Sequence, residues 1–278
     1  MIKIGTSGFS FPSWKGNVYP PHLKSRDMLI YYQDYLGFDM VELDYTFYSM
    51  PERSTMAVLV DKTHPHFLFV VKANRLLTHD IRDPWTRRIR DNDSLFDQFL
   101  FAIEPMRQRG KLGCILFQFP PEFGFSGENL SYLLVCKEHA GEIPIAVEFR
   151  SESWNREKTF AFLHDHNIAF CAADQTAATG IMPFINRTTS IDTAFFRFHG
   201  RDGSWIDGKT GLRNIFLYSH FDLFSFREKI MPVARKTGMT YICFNNCHAG
   251  ASAKNARQMK KLLGIPDAGI GGSFDLFD

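Results

Sequence analysis

The feature that most constrains this chain is a short segment that recurs along it: an apolar run ending in a polar or charged side chain. Residues 146–150, Ala-Val-Glu-Phe-Arg, show the design. In an extended segment successive side chains alternate sides, so Ala146, Glu148 and Arg150 share one face while Val147 and Phe149 share the other. The pattern returns at 39–44, which sets Glu42 and Asp44 on one face, and at 67–72, which ends in Lys72. It returns again at 112–118, ending in Gln118, at 194–199, with Arg197 and His199 on one face, and at 241–245, ending in Asn245. A chain that repeatedly places polar groups at the C-terminal ends of buried strands is building one shared mouth.

Eight strand candidates can be read in this way, at 2–6, 38–44, 67–72, 112–118, 143–149, 168–173, 193–198 and 240–244. Most are separated by segments with apolar residues at helical spacing, at 25–36, 52–59, 95–108, 128–139, 157–166, 221–235 and 251–263. Strands alternating with helices predict a parallel sheet. Eight such units in 278 residues fit a closed β/α barrel, whose usual length is roughly 250 residues. The expected fold is therefore α/β: a single TIM-like (β/α)8 barrel over residues 1–278, with an active-site-like mouth at the C-terminal ends of the strands. The segment 45–51 reads as a loop dense in aromatic hydroxyls, 80–93 as a long surface loop rich in Arg and Asp, and Pro105 as a point that kinks or ends its helix.

Bulk properties exclude some classes of function. No apolar stretch reaches the ~18 residues of a membrane span, and the start reads as a strand rather than a signal peptide. The five cysteines are odd in number and mostly in apolar contexts, which reads as reduced thiols in a cytoplasmic protein. Lys and Arg number 32 against 30 for Asp and Glu, a balance that specifies no nucleic-acid binder but is compatible with a local basic groove. The glycine-rich opening lacks the Gly-Lys-Ser/Thr ending of a nucleotide-hydrolase phosphate loop.

The mouth carries the chemistry. Glu148, Glu42 and His199 are the catalytic candidates: paired carboxylates can divide proton donation and acceptance between them, and a histidine can transfer a proton near neutrality. Carboxylate oxygens also suit Mg or Mn. Lys72, Arg150 and Arg197 are expected to bind an anionic or phosphorylated substrate, with Gln118 and Asn245 orienting it. Trp154, together with Trp14, Tyr45, Tyr48 and Trp205, is expected to supply a stacking surface. The alternative for Glu148 is a structural ion pair with Lys72, Arg150 or Arg197. The primary expectation is an enzyme using acid–base or divalent-metal-assisted chemistry on an anionic small molecule. The alternatives are a non-catalytic module binding single-stranded nucleic acid or another phosphoester, and a structural or protein-interaction domain.

Ordered motifs run through almost the whole chain. Gly5, Thr6, Ser7 and Gly8 lead to Trp14, Gly16, Tyr19 and Pro20. Val41 to Tyr48 is followed by Pro51, then Lys72, Thr78 and His79, then Phe117, Gln118, Pro120 and Pro121. Glu148, Phe149, Arg150 and Trp154 come next, then Asp174, Arg197, His199, Gly200, Phe244, Asn245, Asn246 and Ala256. In this series the chain resembles the DUF72, or YecE-like, family, with Asp44 standing where that family commonly has Asn. The resemblance implies a TIM-like barrel and leaves the reaction open. A likeness of such barrels to metal-dependent endonucleases would suggest a phosphoester ligand, but this sequence has no obvious three-metal His/Asp/Glu set, and that activity is not carried over.

Overall fold

The computed structural model describes residues 1–202 and 215–266. Parallel strands close into a barrel of eight in sequence order, β1 pairing with both β2 and β8. They are β1 Ile2–Ser7, β2 Met40–Leu43, β3 Leu68–Lys72, β4 Leu112–Phe119, β5 Ile145–Phe149, β6 Ala169–Asp174, β7 Thr193–Phe198 and β8 Met239–Phe244. Among the described residues the α-helices are α1 Met28–Asp34, α2 Tyr45–Tyr48, α3 Arg53–Asp61, α4 Asp93–Gln108, α5 Gly127–Ala140, α6 Glu157–Asp165, α7 His220–Ala234 and α8 Ala251–Leu262. Among the described residues no helix is long and apolar enough to cross a membrane.

Each strand is buried on both faces, which is why its sequence is nearly continuous in apolar residues. Alternation then divides the side chains between two cores. Met40, Val70, Cys114, Ala146, Cys171, Phe195 and Tyr241 fill the barrel interior. Val41, Phe69, Ile115, Val147, Phe170, Phe196 and Ile242 belong to the larger core that includes the helices. Gly5 is required by a close approach: a Cβ there would lie 2.0 Å from the Met40 carbonyl oxygen and 2.9 Å from the Tyr32 hydroxyl. The space it leaves lets Tyr32 donate to the Met40 carbonyl at 3.0 Å and accept from the Thr6 amide at 2.9 Å, tying α1 to β1 and β2.

Three local expectations change. Residues 45–48 form a helical turn rather than open loop, because Thr46 Oγ1 donates to the carbonyls of Leu43 and Lys72 and pins the chain over the end of β3. Pro105 does not end its helix, which continues to Gln108. A proline has no N–H for the carbonyl four residues back, and Arg53 Nη1 donates to that carbonyl, on Phe101, at 2.9 Å. The segment 80–93 is a surface loop but not a loose one. A bridge joins Arg82 to Ile89, and the Arg82 guanidinium reaches Glu128 and Asn129, each at 2.7 Å.

Candidate active site

Strand parity raises a set of polar side chains through the interior to the C-terminal end of the barrel. The register sets Ser7 beside Glu42 and Gln118 beside Glu148. The lowest layer is a sealed ion cluster. Arg197, Glu42 and Glu148 are each 0% exposed. Arg197 grips Glu42 bidentately, Nε to Oε2 at 2.9 Å and Nη2 to Oε1 at 2.6 Å, and donates through Nη1 to Glu148 Oε2. Ser7 Oγ donates to Glu42 Oε1 at 2.6 Å. Burial alone would push the Glu148 carboxyl up, but the guanidinium groups of Arg150 and Arg197 and the His199 ring outweigh it and hold the group well below the usual carboxylate range.

Above this floor, Glu148 Oε1 accepts from Arg150 Nη2 at 2.8 Å and from His199 Nε2 at 3.1 Å. The Asn245 amide donates to His199 Nδ1 at 2.9 Å. These bonds together assign the neutral tautomer with its proton on Nε2. Arg150 Nη2 also lies 3.1 Å from Nε2, and in this tautomer that is an approach of two donors rather than a bond. Burial, and after it the Arg150 charge, lowers the His199 pKa to about 3. Arg150 Nη1 donates to Gln175 Oε1, and Gln175 Nε2 donates to the Met182 carbonyl at 2.8 Å.

The uppermost layer encloses a cavity of about 390 Å³ lined by Asp44, Lys72, His79, Gln118, Arg150, His199 and Asn245, with Phe47, Tyr48, Pro120 and Pro121 as its less polar wall. Lys72 Nζ donates to Asp44 Oδ1 at 2.9 Å and lies 4.3 Å from the centre of the Phe47 ring. Burial pushes the Asp44 carboxyl up, but Lys72, then Arg197, overcome that and leave it lowered. His79 packs edge-on against Phe47, 4.7 Å between ring centres, and bonds Thr78 Oγ1 through Nδ1 at 3.0 Å. Burial, then the charge of Lys72, brings His79 down to about 4.

The structure thus gathers Lys72, Arg150, Gln118, His199 and Asn245 around one cavity and places Glu42, Glu148 and Arg197 beneath it. A direct base or metal-ligand role for Glu42 or Glu148 does not fit this arrangement, because both carboxylates are sealed and occupied by guanidinium groups. Trp154 is not a stacking platform. It is 0% exposed, stacks on Phe149 with ring centres 4.1 Å apart, and donates Nε1–H to the Phe123 carbonyl at 2.6 Å. Trp14 is equally buried, with its N–H on the Cys247 carbonyl, while Tyr48 is exposed and lines the cavity. Trp205 lies outside the described residues. In the Arg-rich loop Arg82 is engaged by Glu128, and Asp80 by Arg75 from the turn before it. Gln175 was not legible as part of the site; its one sequence signal is its position directly after the Asp174 strand end.

Among the described residues no three or more His, Cys, Asp or Glu side chains group in a way that could hold a metal ion. Asp44 is the one carboxylate among the described residues lining the cavity, so the donor set does not fit a dedicated metal cage.

A family model described as "Protein of unknown function DUF72" matches residues 3–273. The UPF0759 protein YunF of Bacillus subtilis (strain 168) is 31% identical over 283 residues, covering 97% of each chain. The crystal structure of a DUF72 family protein from Thermotoga maritima MSB8 superposes with a TM-score of 0.87 at 40% identity, covering 95% of this chain and 99% of the other. A DUF72 family protein from Enterococcus faecalis V583 gives 0.82 at 25% identity, with 96% of each covered.

Proposed function

The chain belongs to the DUF72 family of proteins of unknown function, and on that premise we propose that its barrel mouth is the active site of an enzyme acting on a small phosphorylated or otherwise anionic substrate. The observation that carries this reading is the division of charge between floor and cavity. Lys72, Arg150 and Arg197 are balanced by Asp44, Glu42 and Glu148 over the whole cluster, but Glu42 and Glu148 lie beneath with Arg197. What faces the cavity is Lys72 and Arg150 against Asp44. A cleft whose lining is locally cationic attracts anions even when the protein as a whole is nearly neutral. The position, at the C-terminal ends of barrel strands, is where barrels of this kind carry their chemistry.

In this reading Lys72 and Arg150 hold the anionic group and offset negative charge that develops during reaction. Asp44 is the accessible proton acceptor, kept ionised by Lys72, and His199 presents a neutral ring held by Glu148 and Asn245. Glu148 acts as a positioning residue for Arg150 and His199. If Mg or Mn took part, Asp44 would be its protein ligand, with substrate oxygens and water as the others. The test is calorimetric titration with inorganic phosphate and a panel of phosphorylated metabolites, with and without Mg, on the wild type and Lys72→Met. Saturable binding that Lys72→Met abolishes supports the site. If no anion binds in a Lys72-dependent way under either condition, the reading fails.

A further inference from the structure

A second, larger cavity of about 740 Å³ opens beside the mouth, between the loop that follows β6 and Arg201. The two cavities share a wall. Arg150 lines the first, Gln175 lines the second, and the two side chains are hydrogen-bonded to each other. The second cavity is also held in shape. The Met182 amide donates to the Arg150 carbonyl and the Glu152 amide to the Gly180 carbonyl, both at 2.8 Å, while Ser151 and Ile181 form a bridge. The β6 loop is therefore stitched to the exit of β5, the element that delivers Glu148 and Arg150.

Its chemistry differs from that of the mouth. Arg201 gives Nε and Nη2 to the Asp174 carboxylate at 2.9 to 3.1 Å and Nη1 to Asp222 Oδ1 at 3.1 Å, so this one cation faces two carboxylates. Glu152 adds a further carboxylate to the rim, and Met182, Pro183 and Phe184 supply an apolar side. This lining disfavours a second anion and suits a neutral group that bears hydroxyls on an apolar ring or chain. Resting on the reading of the mouth as an anion site, we propose that the substrate is bipartite, an anionic head held by Lys72 and Arg150 and a neutral hydroxylated body, of the sugar or polyol monophosphate class, lying across the Arg150–Gln175 wall in the second cavity.

The experiment compares inorganic phosphate with a panel of sugar and polyol monophosphates by calorimetry, on the wild type, Lys72→Met, Ala177→Trp and Ala178→Trp. Ala177 and Ala178 are exposed on the β6 loop and line the second cavity, so an indole at either site is expected to take up space in it and leave the barrel core alone. The expected result is at least one ester binding about tenfold or more tighter than phosphate, with that gain lost in both tryptophan variants. If phosphate binding depends on Lys72 but no ester exceeds it, or the gain survives both tryptophans, the bipartite substrate is overturned while the mouth reading stands. If phosphate binding does not depend on Lys72, both readings fall.

Discussion

Arg197→Met removes the cation at the centre of the sealed cluster while keeping much of its volume. In the wild type Arg197 and both its carboxylate partners are 0% exposed, and three hydrogen-bonding nitrogens are shared between Glu42 and Glu148. The substitution leaves Glu148 with Arg150 at 2.8 Å and His199 at 3.1 Å, but leaves Glu42 with only the Ser7 hydroxyl of the partners described above. Breaking one side of a buried pair costs about 3–5 kcal/mol because a charge is left buried without compensation. Most of that loss should trace to Glu42. Adding Glu42→Gln should therefore recover part of it, making the double variant about 1–3 kcal/mol more stable than the sum of the single losses. Urea denaturation followed by circular dichroism gives the three losses relative to the wild type, and the dependence on urea must stay unchanged for them to be compared. A cost of less than about 1 kcal/mol for Arg197→Met, or simple additivity of the two substitutions, would mean that no uncompensated charge is left on Glu42.

Acid should weaken the fold through the half-buried His79 and the buried His199. His79 and His199 are lowered to about 4 and about 3, burial being the largest cause in each. Both bind protons in the unfolded chain below about pH 6.5 but not in the folded one, so their contribution is complete above that pH and is lost as pH falls toward the folded values. Glu148, also depressed, adds a loss below about pH 4.3. Urea midpoints at pH 7 and 5 should fall on acidification, less steeply in His199→Asn; a midpoint that rises contradicts the assignment. Trp154→Phe keeps the stack on Phe149 but deletes the bond to the Phe123 carbonyl, and should lower stability by about 1–2 kcal/mol with anion affinity unaltered. A change in affinity without a change in stability would return Trp154 to the ligand site. Asp44→Asn removes the carboxylate that engages Lys72 and should raise phosphate affinity several-fold at low salt, an effect that fades with ionic strength. An unchanged or weaker affinity would remove Lys72 from anion binding.

Much of this site was legible because strand parity is a local property. Once 67–72, 112–118 and 194–199 are read as strands, Lys72, Gln118, Arg197 and His199 must project to a common side, and closure of the barrel brings those sides together. The family motifs named the same positions. The helical turn at Tyr45–Tyr48 was not legible, since Thr46 within it donates to the carbonyl of Lys72, a residue far along the chain. The uninterrupted helix through Pro105 likewise depends on a guanidinium from α3.

The sequence by itself determined the order of strands and helices, the side on which each polar residue leaves its strand, and hence that a polar mouth would exist. Only the tertiary structure decided which of those residues line the cavity and which are sealed beneath it. Glu42 and Arg197 are 155 residues apart, and their pairing becomes visible only when the barrel closes. Burial and ion pairing are set by the whole surrounding shell, so the same carboxylate pattern could yield a base or a sealed counterion. Trp154 is the apolar case: its ring fits a stacking platform or a core equally well, and the contacts with Phe149 and Phe123 placed it in the core.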